Sequence, residues 1–575
     1  MVSNSKPEKI HLGKSAWKND LFVLIGAMVI ILFINIIGQG WFFRLDLTAD
    51  NRYTLSRPTR KILKNLDDIV YIRVYLEGDL NIPFKKFQNN IHDMLDEFKI
   101  YGRSKFQYEF VNPFEDVPSG MQNKIIEQLY NQGLKPTNIH QRDKEGGLSE
   151  KIIFPGAVIM YKNAEISLNL LLNNPGLNAG QNLNNSIESL EYTLISTIKN
   201  ITNPVTEKIA FIEGHGELNE MEVHDISTEL SKSYQIDRGV INGIPGVLDD
   251  YKAIIVAKPK KAFSEPDKFV IDQYIMNGGK VIWLIDAVQA DLDSMINGEM
   301  LAFPQNLNLD DLFFKYGVRI NPELVQDIQC NVIPINVSLA GNQPNFQPAP
   351  WLYFPLIEPN PNHPISKNLN LVLCRFANAI DTIAARKTVK KTPLLTTSEL
   401  SRTKKVPSLI SLSEINETPD RNSFNKSHII IGVLLEGEFE SVFTNRGIDA
   451  YFKNPPQIKE KSKPTRMAVI ADGDLIKNDV SQSPQGPSIF PLGYDRYTRQ
   501  TFGNMDFLMN LTQYLTDDNN LLELRGRDFK LRLLDKDKIV SQRKKWIWLN
   551  MLVPSLIVIF FGMLYMYYRK YRYSK

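Results

Sequence analysis

Two long apolar runs, one near each end of the chain, restrict the possible fold more than any other feature. The first covers residues 21–43 and the second covers residues 546–568, and neither contains a charged side chain. A helix of about 20 apolar residues is long enough to cross the hydrocarbon core of a bilayer. The chain is therefore predicted to be anchored in a membrane at both ends, with its folded part between the anchors.

Basic and aromatic residues flank both runs, as they do in membrane anchors. Lysines precede the first run, and Trp41, Phe42 and Phe43 end it. Tryptophans open the second run, tyrosines close it, and clusters of Arg and Lys lie on both sides. Inside the second run, Asn550 and Pro554 are predicted to face a partner helix rather than lipid.

The basic N-terminal tail sets the predicted orientation of the chain. Residues 1–20 and 569–575 are predicted to be cytoplasmic tails, and the segment between the two spans is predicted to lie in the periplasm, beyond the inner membrane. A cleaved signal peptide is the alternative for the first run, since Gly38-Gln39-Gly40 weakly matches a cleavage site. The run exceeds the roughly 7–15 apolar residues of a signal peptide, which favours an uncleaved anchor.

Between the anchors, short apolar runs typical of buried strands alternate with amphipathic segments typical of helices. This alternation predicts an α/β fold with two domains. Residues 44–203 form the first predicted domain. Residues 204–299 and 467–540 form the second, whose apolar strands favour a flavodoxin-like or class I glutamine-amidotransferase-like parallel sheet. Residues 300–466 are predicted to be an insertion of mixed structure, in which the proline-rich residues 344–364 form an extended loop.

Charge and cysteine content exclude several classes of function. The net charge of +3 gives no support for nucleic-acid binding. Two cysteines, Cys330 and Cys374, cannot form an all-cysteine zinc site, and no CxxC pattern is present. They are predicted either to form one disulfide outside the cytosol or to be two buried thiols. No metal and no cofactor is expected.

Motifs for nucleotide hydrolysis and covalent catalysis are absent from the sequence. Leu12–Ser15 has the Gly-Lys-Ser ending of a phosphate-binding loop, but Glu8 occupies the position of its first glycine. The patterns G-x-S-x-G and HExxH do not occur. The chain is therefore predicted to have no catalytic residues and not to be an enzyme.

Five polar residues that follow predicted strands form the candidate site. Glu213 and His215 follow one strand, Asp286 follows another, and Asp472 and Asp474 follow a third. Ligands of open α/β sheets bind at the carboxyl ends of strands, so these residues are predicted to converge on one polar ligand if the strands are neighbours. The alternative is that each side chain caps the helix or turn that follows it.

Several blocks of the sequence together resemble one family. They are "RLDLTADNRYTLSRPTRKILKNL", "KIAFIEGHGE", "NGGKVIWLID", "MAVIADGDLI" and "FGNMDFLMNLTQYL". With the two terminal apolar runs, these blocks are similar to the gliding-motility-associated, GldG-like auxiliary components of ABC-type transport systems. The resemblance implies a substrate-binding-like component of the inner membrane, a GldF-like permease and a separate GldA-like ATPase as partners, and a role in gliding. It implies neither a substrate nor catalytic residues.

These features favour a non-catalytic accessory subunit that gates the permease or relays ATP-driven change to other envelope proteins. Two alternatives stay open. A tethered periplasmic receptor of the transporter would need Glu213, His215 and Asp286 in one pocket. A periplasmic hydrolase would need a serine or cysteine within about 3 Å of His215.

Overall fold

The computed structural model describes most of the chain, in two compact units of residues 1–54 and 55–575. The described residues are 22, 24–33, 54–115, 117–142, 148–172, 178–202, 207–295, 298–336, 345–383, 388–416, 419–484, 486–517, 521–526 and 536–573. In the first unit, helix α1 covers Leu24–Phe33. The rest of the apolar run at 21–43, apart from Phe22, lies outside the described residues, and an N-terminal span stays a prediction.

Nine further helices are described in the second unit. They are α2 (Arg57–Lys64), α3 (Ile82–Gly102), α4 (Ser119–Asn131), α5 (Ala179–Thr202), α6 (His224–Ser231), α7 (Glu265–Met276), α8 (Asp310–Tyr316), α9 (Asn504–Thr516) and α10 (Lys536–Tyr573).

Local sequence signals explain where two of these helices begin and end. Ser56 precedes α2, and its Oγ accepts a hydrogen bond from the backbone N of Thr59 at 3.1 Å. Ser264 caps α7 in the same way through the backbone N of Asp267, at 3.2 Å. These side chains satisfy backbone donors that have no partner inside the helix. Gly278, with φ of +98°, ends α7 in a conformation that disfavours other residues.

A four-stranded sheet lies in the N-terminal part of the second unit, in the order β2-β1-β5-β6. Its strands and the separate hairpin β3–β4 are β1 (Val70–Val74), β2 (Phe106–Phe110), β3 (Thr137–Arg142), β4 (Leu148–Ile153), β5 (Gly156–Tyr161) and β6 (Ala164–Asn169). Strands β1 and β2 are parallel, and the other pairs are antiparallel. Helices α3 and α5 pack on one face of this sheet and form the first core with it.

The remaining strands build one large sheet and several small ones. They are β7 (Lys208–Glu213), β8 (Gln235–Val240), β9 (Tyr251–Ala257), β10 (Lys280–Leu284), β11 (Val288–Gln289), β12 (Glu299–Pro304), β13 (Val318–Asp327), β14 (Cys330–Asn336), β15 (Phe346–Pro359), β16 (Val372–Leu373), β17 (Asn378–Thr382), β18 (Val389–Thr396), β19 (Ser401–Lys405), β20 (Ser408–Ser411), β21 (Ile430–Gly437), β22 (Thr465–Ile470), β23 (Val480–Ser483), β24 (Gly486–Ile489), β25 (Tyr494–Asp495) and β26 (Gln500–Thr501).

The large sheet has the order β14-β15-β18-β21-β22-β10-β9-β7-β8, and β16 also pairs with β15. The half from β22 to β8 is parallel, whereas β14, β15, β18 and β21 add antiparallel pairs. The structure therefore shows a mixed sheet, where the sequence predicted a parallel one. The difference arises because β21, inside the predicted insertion, pairs with β22. A flavodoxin-like or glutamine-amidotransferase-like fold stays a prediction.

Helices cover both faces of the parallel half. Consecutive residues of β7, such as Phe211 and Ile212, pack into different cores, because successive side chains of a strand point to opposite faces of the sheet. Helices α6 and α9 complete the core on one face, and α7 and α8 complete the core on the other. This two-sided burial explains why the strands are almost continuously apolar.

The proline-rich segment is not the loop that the sequence predicted. Residues Phe346–Pro359 form the 14-residue strand β15. Trp351, Tyr353 and Phe354 lie between its prolines and pack into a core of their own with β12 and β14. Proline fixes φ near −65°, which an extended strand tolerates, and aromatic burial stabilises the strand.

Helix α10 carries the C-terminal apolar run. Within the described residues, its segment Ser541–Arg572 is the one helix long and apolar enough to cross a membrane, and its apolar window is not buried in the protein. The helix contains Pro554 in its interior. The structure thus provides one candidate membrane helix, at the C-terminal end.

Candidate functional site at the carboxyl edge of the large sheet

Charged residues follow three neighbouring parallel strands at one edge of the large sheet. Lys258 directly follows β9, Asp286 follows β10, and Asp472 and Asp474 follow β22. Because the carboxyl ends of parallel strands meet at the same edge, these four side chains lie together. We call these four residues the edge cluster.

The edge cluster is held together by a buried lysine. The Lys258 Nζ lies 3.3 Å from an Asp286 carboxylate oxygen and 2.5 Å from an Asp474 carboxylate oxygen. All three side chains are less than 10% exposed, at 6%, 9% and 8%. Lys258 was not foreseen from the sequence, because a lysine at the end of an apolar strand usually reaches solvent. The sequence predicted the acids but not the cation that neutralises them.

Backbone amides donate to the other oxygen of Asp286 and to both oxygens of Asp472. Asp286 Oδ1 accepts a hydrogen bond from the backbone N of Gly473 at 2.6 Å. Asp472 Oδ2 accepts one from the backbone N of Arg375 at 2.7 Å, and its Oδ1 accepts one from that of Asp474, also at 2.7 Å. The acids therefore fix the loop after β22. A Cβ on Gly473 would lie 2.5 Å from Cγ of Lys258, so this position needs glycine.

Burial changes the protonation of the edge cluster. Burial, together with the nearby charges of Asp474 and Asp286, raises the pKa of Asp472 to about 8. Burial also raises the pKa of Asp286, although Lys258 acts against this rise. Burial alone would lower the pKa of Lys258, but the two carboxylates outweigh it and raise it. At neutral pH a charged Lys258 and a protonated Asp472 therefore lie in the same cluster.

His215 lies in a different set of contacts. Its Nδ1 is 3.1 Å from Glu217 Oε1, its Nε2 is 3.2 Å from Asp267 Oδ2, and its ring stacks on Phe263 at a centroid distance of 3.7 Å. Both ring nitrogens are therefore engaged by acids outside the edge cluster. Glu213 has its own partner, the Nε of Arg238, at 2.7 Å.

The five predicted site residues consequently fall into three groups, each with its own partners. Asp286, Asp472 and Asp474 belong to the edge cluster, whereas His215 and Glu213 each bind elsewhere. Ligand binding by these residues stays a prediction. A nucleophile for His215 is not supplied by Ser264, whose Oγ donates to Asp267 at 2.7 Å rather than to the histidine.

Burial lowers the pKa of His215, but the hydrogen bonds and charges of Glu217 and Asp267 outweigh burial and raise it overall. A raised folded-state pKa stabilises the fold fully below the unfolded-state pKa of about 6.5, and this contribution is lost as the pH rises through the folded-state pKa. His215→Gln is therefore expected to destabilise the protein more near about pH 5.5 than near about pH 9, by a difference on the order of 1–2 kcal/mol. Thermal unfolding of wild type and variant at both pH values measures this difference. An equal loss at both would contradict a charged His215.

A cleft with a volume of about 310 Å³ opens beside the edge cluster. Of the five predicted residues, Asp474 lines it, together with Arg375 and Asp479. Those two side chains bind each other through two hydrogen bonds, at 2.6 and 2.7 Å. Arg375 and Asp479 thus already have each other as partners inside the cleft. Among the described residues, no three His, Cys, Asp or Glu side chains are arranged to hold a metal ion.

The two cysteines are free thiols on opposite sides of β15. Cys330 pairs with Pro355, and the backbone N of Cys374 donates to the carbonyl of Pro355 at 3.1 Å. The backbones of the two cysteines are therefore two strand spacings apart, about 9.6 Å, and a disulfide cannot bridge Cα atoms at that distance. Burial raises the pKa of Cys330 to about 11, and burial beside Asp472 raises that of Cys374 further. Cys374 is therefore a buried thiol and Cys330 a partly buried one, and both have low reactivity.

Comparison with known proteins places the chain in a family. Residues 206–511 match the model of a family described as an ABC-type uncharacterized transport system, and the chain belongs to this family. Residues 49–160 match a domain of unknown function. The matched family is that of an auxiliary component, which gives the chain an accessory role in an ABC transport system and associates it with a transporter and a membrane.

Two further similarities are less informative. An uncharacterized protein of Borreliella burgdorferi is 22% identical over 549 residues, which cover 93% of this chain and 95% of that protein. Among solved structures, the mmIFT52 N-terminal domain is 13% identical, with a TM-score of 0.31, over 54% of this chain and 99% of that domain. At that score the likeness supports no conclusion about this chain.

Proposed function

We propose that the chain is a non-catalytic, membrane-anchored subunit of an ABC transporter complex, in which its folded part relays ATP-driven movement. The observation that carries this proposal is the short 3-10 helix Leu521–Gly526, which we call the wedge. The wedge precedes helix α10 in the chain, and residues 527–535 lie between them. It is the last described segment before the chain reaches its candidate membrane helix.

The leucines of the wedge pack into two separate hydrophobic cores. Leu521 and Leu524 pack into the core of the small N-terminal sheet, and Leu522 packs into the core between the large sheet and α9. All three leucines are at most 6% exposed. Because close-packed cores transmit displacement, a movement of α10 would be passed to both sheets through these leucines.

Helix α5 is the element on which these contacts converge. Glu191 of α5 accepts hydrogen bonds from the backbone N of Ser56, at 2.8 Å, and from Oγ1 of Thr59, at 2.7 Å. Farther along α5, Lys199 forms an ion pair with Asp517 at 3.2 Å, four residues before the wedge. One helix thus binds the start of the second unit and the segment that leads to α10. This arrangement supports a mechanical role.

The edge cluster supports a non-catalytic role. Its lysine and carboxylates bind one another and the surrounding backbone, which stabilises the loops at the sheet edge. The alternative of a tethered receptor that uses Glu213, His215 and Asp286 has less support, because each of these residues has a separate protein partner.

The finer features of the proposal rest on the sequence. The resemblance to GldG-like components supports a GldF-like permease and a GldA-like ATPase as partners, other envelope proteins as further contacts, and a role in gliding motility. The basic N-terminal tail supports two spans, cytoplasmic termini and a periplasmic middle region. The domain boundaries predicted from the sequence are part of the same proposal.

Purification of the tagged chain from native membranes tests the proposal. We expect an ABC permease and an ATPase to be recovered with it, and the complex to hydrolyse ATP. The chain purified alone should show no ATP hydrolysis, since it has no phosphate-binding loop. An unrelated tagged membrane protein is the control. Recovery without any permease, or hydrolysis by the chain alone, would overturn the proposal.

A further inference from the structure

Basic side chains cover the outer side of helix α2. Their spacing of three or four residues places them on one side of the helix. Lys105, directly before β2, joins them, because its Nζ donates to the carbonyl oxygen of Leu66, shortly after α2, at 2.5 Å. We call the resulting surface the basic face. With Lys105, its members are Arg57, Arg60, Lys61 and Lys64.

The basic face has no acidic partner in the fold. Among the described residues, none of its five members forms an ion pair, and Asp67 and Asp68, the acids that follow α2, pair with none of them. Like charges three or four residues apart destabilise a helix. The helix dipole favours Lys61 and Lys64 in the last turn, but it disfavours Arg57 in the first. An anionic partner outside the chain would relieve this repulsion.

The other side of α2 is fixed to the fold. Thr59 and Leu63, four residues apart, are buried. Glu191 of α5 accepts a hydrogen bond from Oγ1 of Thr59 at 2.7 Å. Four members of the basic face are exposed, and Arg60 is half-buried. The attachment to α5 thus directs the basic side chains away from the folded part.

Both apolar runs of the chain connect to this part of the fold. In sequence, residues 44–56 join the first run to α2. The wedge, which precedes α10, packs with α5 in the core that also receives Leu63 of α2. The chain itself therefore holds a phospholipid bilayer close to the basic face, and such tethering raises the effective concentration of a binding surface. A free nucleic acid or acidic protein has no tether of this kind.

We propose that the basic face binds the anionic headgroups of phospholipids in the membrane that anchors the chain. Each Lys or Arg close to an anionic bilayer strengthens such a contact about fivefold, so several together hold a tethered domain against it. The contact fixes the orientation of α2 and α5 relative to the bilayer. This inference rests on the membrane anchoring in the proposed function, but not on its transport role.

Fluorescence quenching in the full chain tests the contact. Asn65→Cys places a reactive thiol beside the basic face, whereas burial raises the pKa of the native Cys330 and Cys374 thiols, so the wild type is the control for selective labelling. The chain, labelled with nitrobenzoxadiazole, is reconstituted alone in nanodiscs of phosphatidylcholine with or without phosphatidylglycerol. A phosphatidylcholine with a nitroxide on its headgroup is the quencher.

Phosphatidylglycerol is expected to increase the quenching at least about twofold over neutral nanodiscs, because it supplies the anionic headgroups. In about 1 M salt, where the Debye length is about 3 Å, the increase should disappear. Equal quenching in the two lipid mixtures would rule the inference out.

Two charge-matched variants locate the contact on α2. Arg57→Glu/Lys61→Glu changes the charge by four units, which weakens the contact about 10²- to 10³-fold, so quenching should fall to the neutral level. Lys124→Glu/Lys135→Glu makes the same change at exposed residues in and after α4, which packs on the other face of the small sheet, and should keep the increase. Both variants should unfold at the wild-type temperature. Unchanged quenching in Arg57→Glu/Lys61→Glu would contradict a contact through α2.

A photoreactive residue identifies the occupant in native membranes. A benzophenone amino acid in place of Asn65 is expected to form adducts with phospholipid, and an adduct with an acidic protein instead would overturn the inference. Because the nanodiscs contain no permease, failure of the lipid contact leaves the proposed transport role intact. Failure to recover a permease from native membranes, in turn, leaves the lipid contact intact.

Discussion

Replacing Lys258 with methionine is expected to lower the free energy of unfolding by about 3–5 kcal/mol. Methionine keeps the length of the apolar stem but removes the charge that lies 3.3 Å from Asp286 and 2.5 Å from Asp474. Both carboxylates would then be buried without a counter-charge, which is the costly way to break a buried ion pair. Denaturant unfolding of the full chain, followed by intrinsic fluorescence, measures the loss.

Two controls separate charge from packing in this prediction. Asp474→Asn in the Lys258→Met background should restore part of the lost stability, because it removes one of the unpaired charges. The loss should also shrink at acidic pH, because burial raises the pKa of Asp286 and a protonated Asp286 carries no charge for the lysine to balance. A loss below about 1 kcal/mol would indicate that solvent reaches the edge cluster.

The parallel half of the large sheet could be predicted from the sequence because its strands carry the signal themselves. Four of them, β7, β9, β10 and β22, are short apolar runs buried on both faces, whereas the edge strand β8 is more polar and exposed. The convergence of Asp286 with Asp472 and Asp474 follows from the same rule, since all three follow parallel strands. The end of a strand can be recognised from the local sequence. In any parallel sheet, the residues that follow neighbouring strands lie at the same edge.

Pairings between distant segments could not be predicted in this way. Asp267, the partner of the His215 Nε2, lies 52 residues away, and no local pattern links the two. The antiparallel pairing of β21 with β22 likewise joins the predicted insertion to the sheet without a sequence signature. In β15, burial of the aromatic side chains stabilises a strand although the prolines favour a loop. Whether the strand forms depends on the core into which Trp351 packs, and that core is built from distant segments.

The wedge shows the same limit for single side chains. Leu521, Leu522 and Leu524 are almost consecutive, yet two of them enter the first core and one enters another. Apolar residues at this spacing predict burial but not the core that receives each one. This division is also what makes the wedge testable, since the two cores can be loosened separately.

Replacing Leu521 and Leu524 together with alanine is expected to loosen α5 while leaving α9 unchanged, and Leu522→Ala is expected to do the reverse. Each Leu→Ala change in a core costs about 2–5 kcal/mol, so hydrogen exchange in the affected helix should accelerate at least about tenfold. Exchange measured by mass spectrometry on the full chain resolves α5 from α9. The surface change Lys232→Ala, on a side chain that is 63% exposed, is the control and should alter neither helix.

In the transporter complex, the same variants address the relay. ATP binding and hydrolysis should alter hydrogen exchange in α5 of the wild type under the proposed relay, because the wedge packs into the same core as α5 and precedes α10 in the chain. The variant Leu521→Ala/Leu524→Ala should still assemble and hydrolyse ATP, yet its α5 should no longer respond to nucleotide. An equal response in this variant would mean that movement reaches α5 by a route other than the wedge. If neither protein responded to ATP, α5 would be a static support and the mechanical role of the subunit would fail.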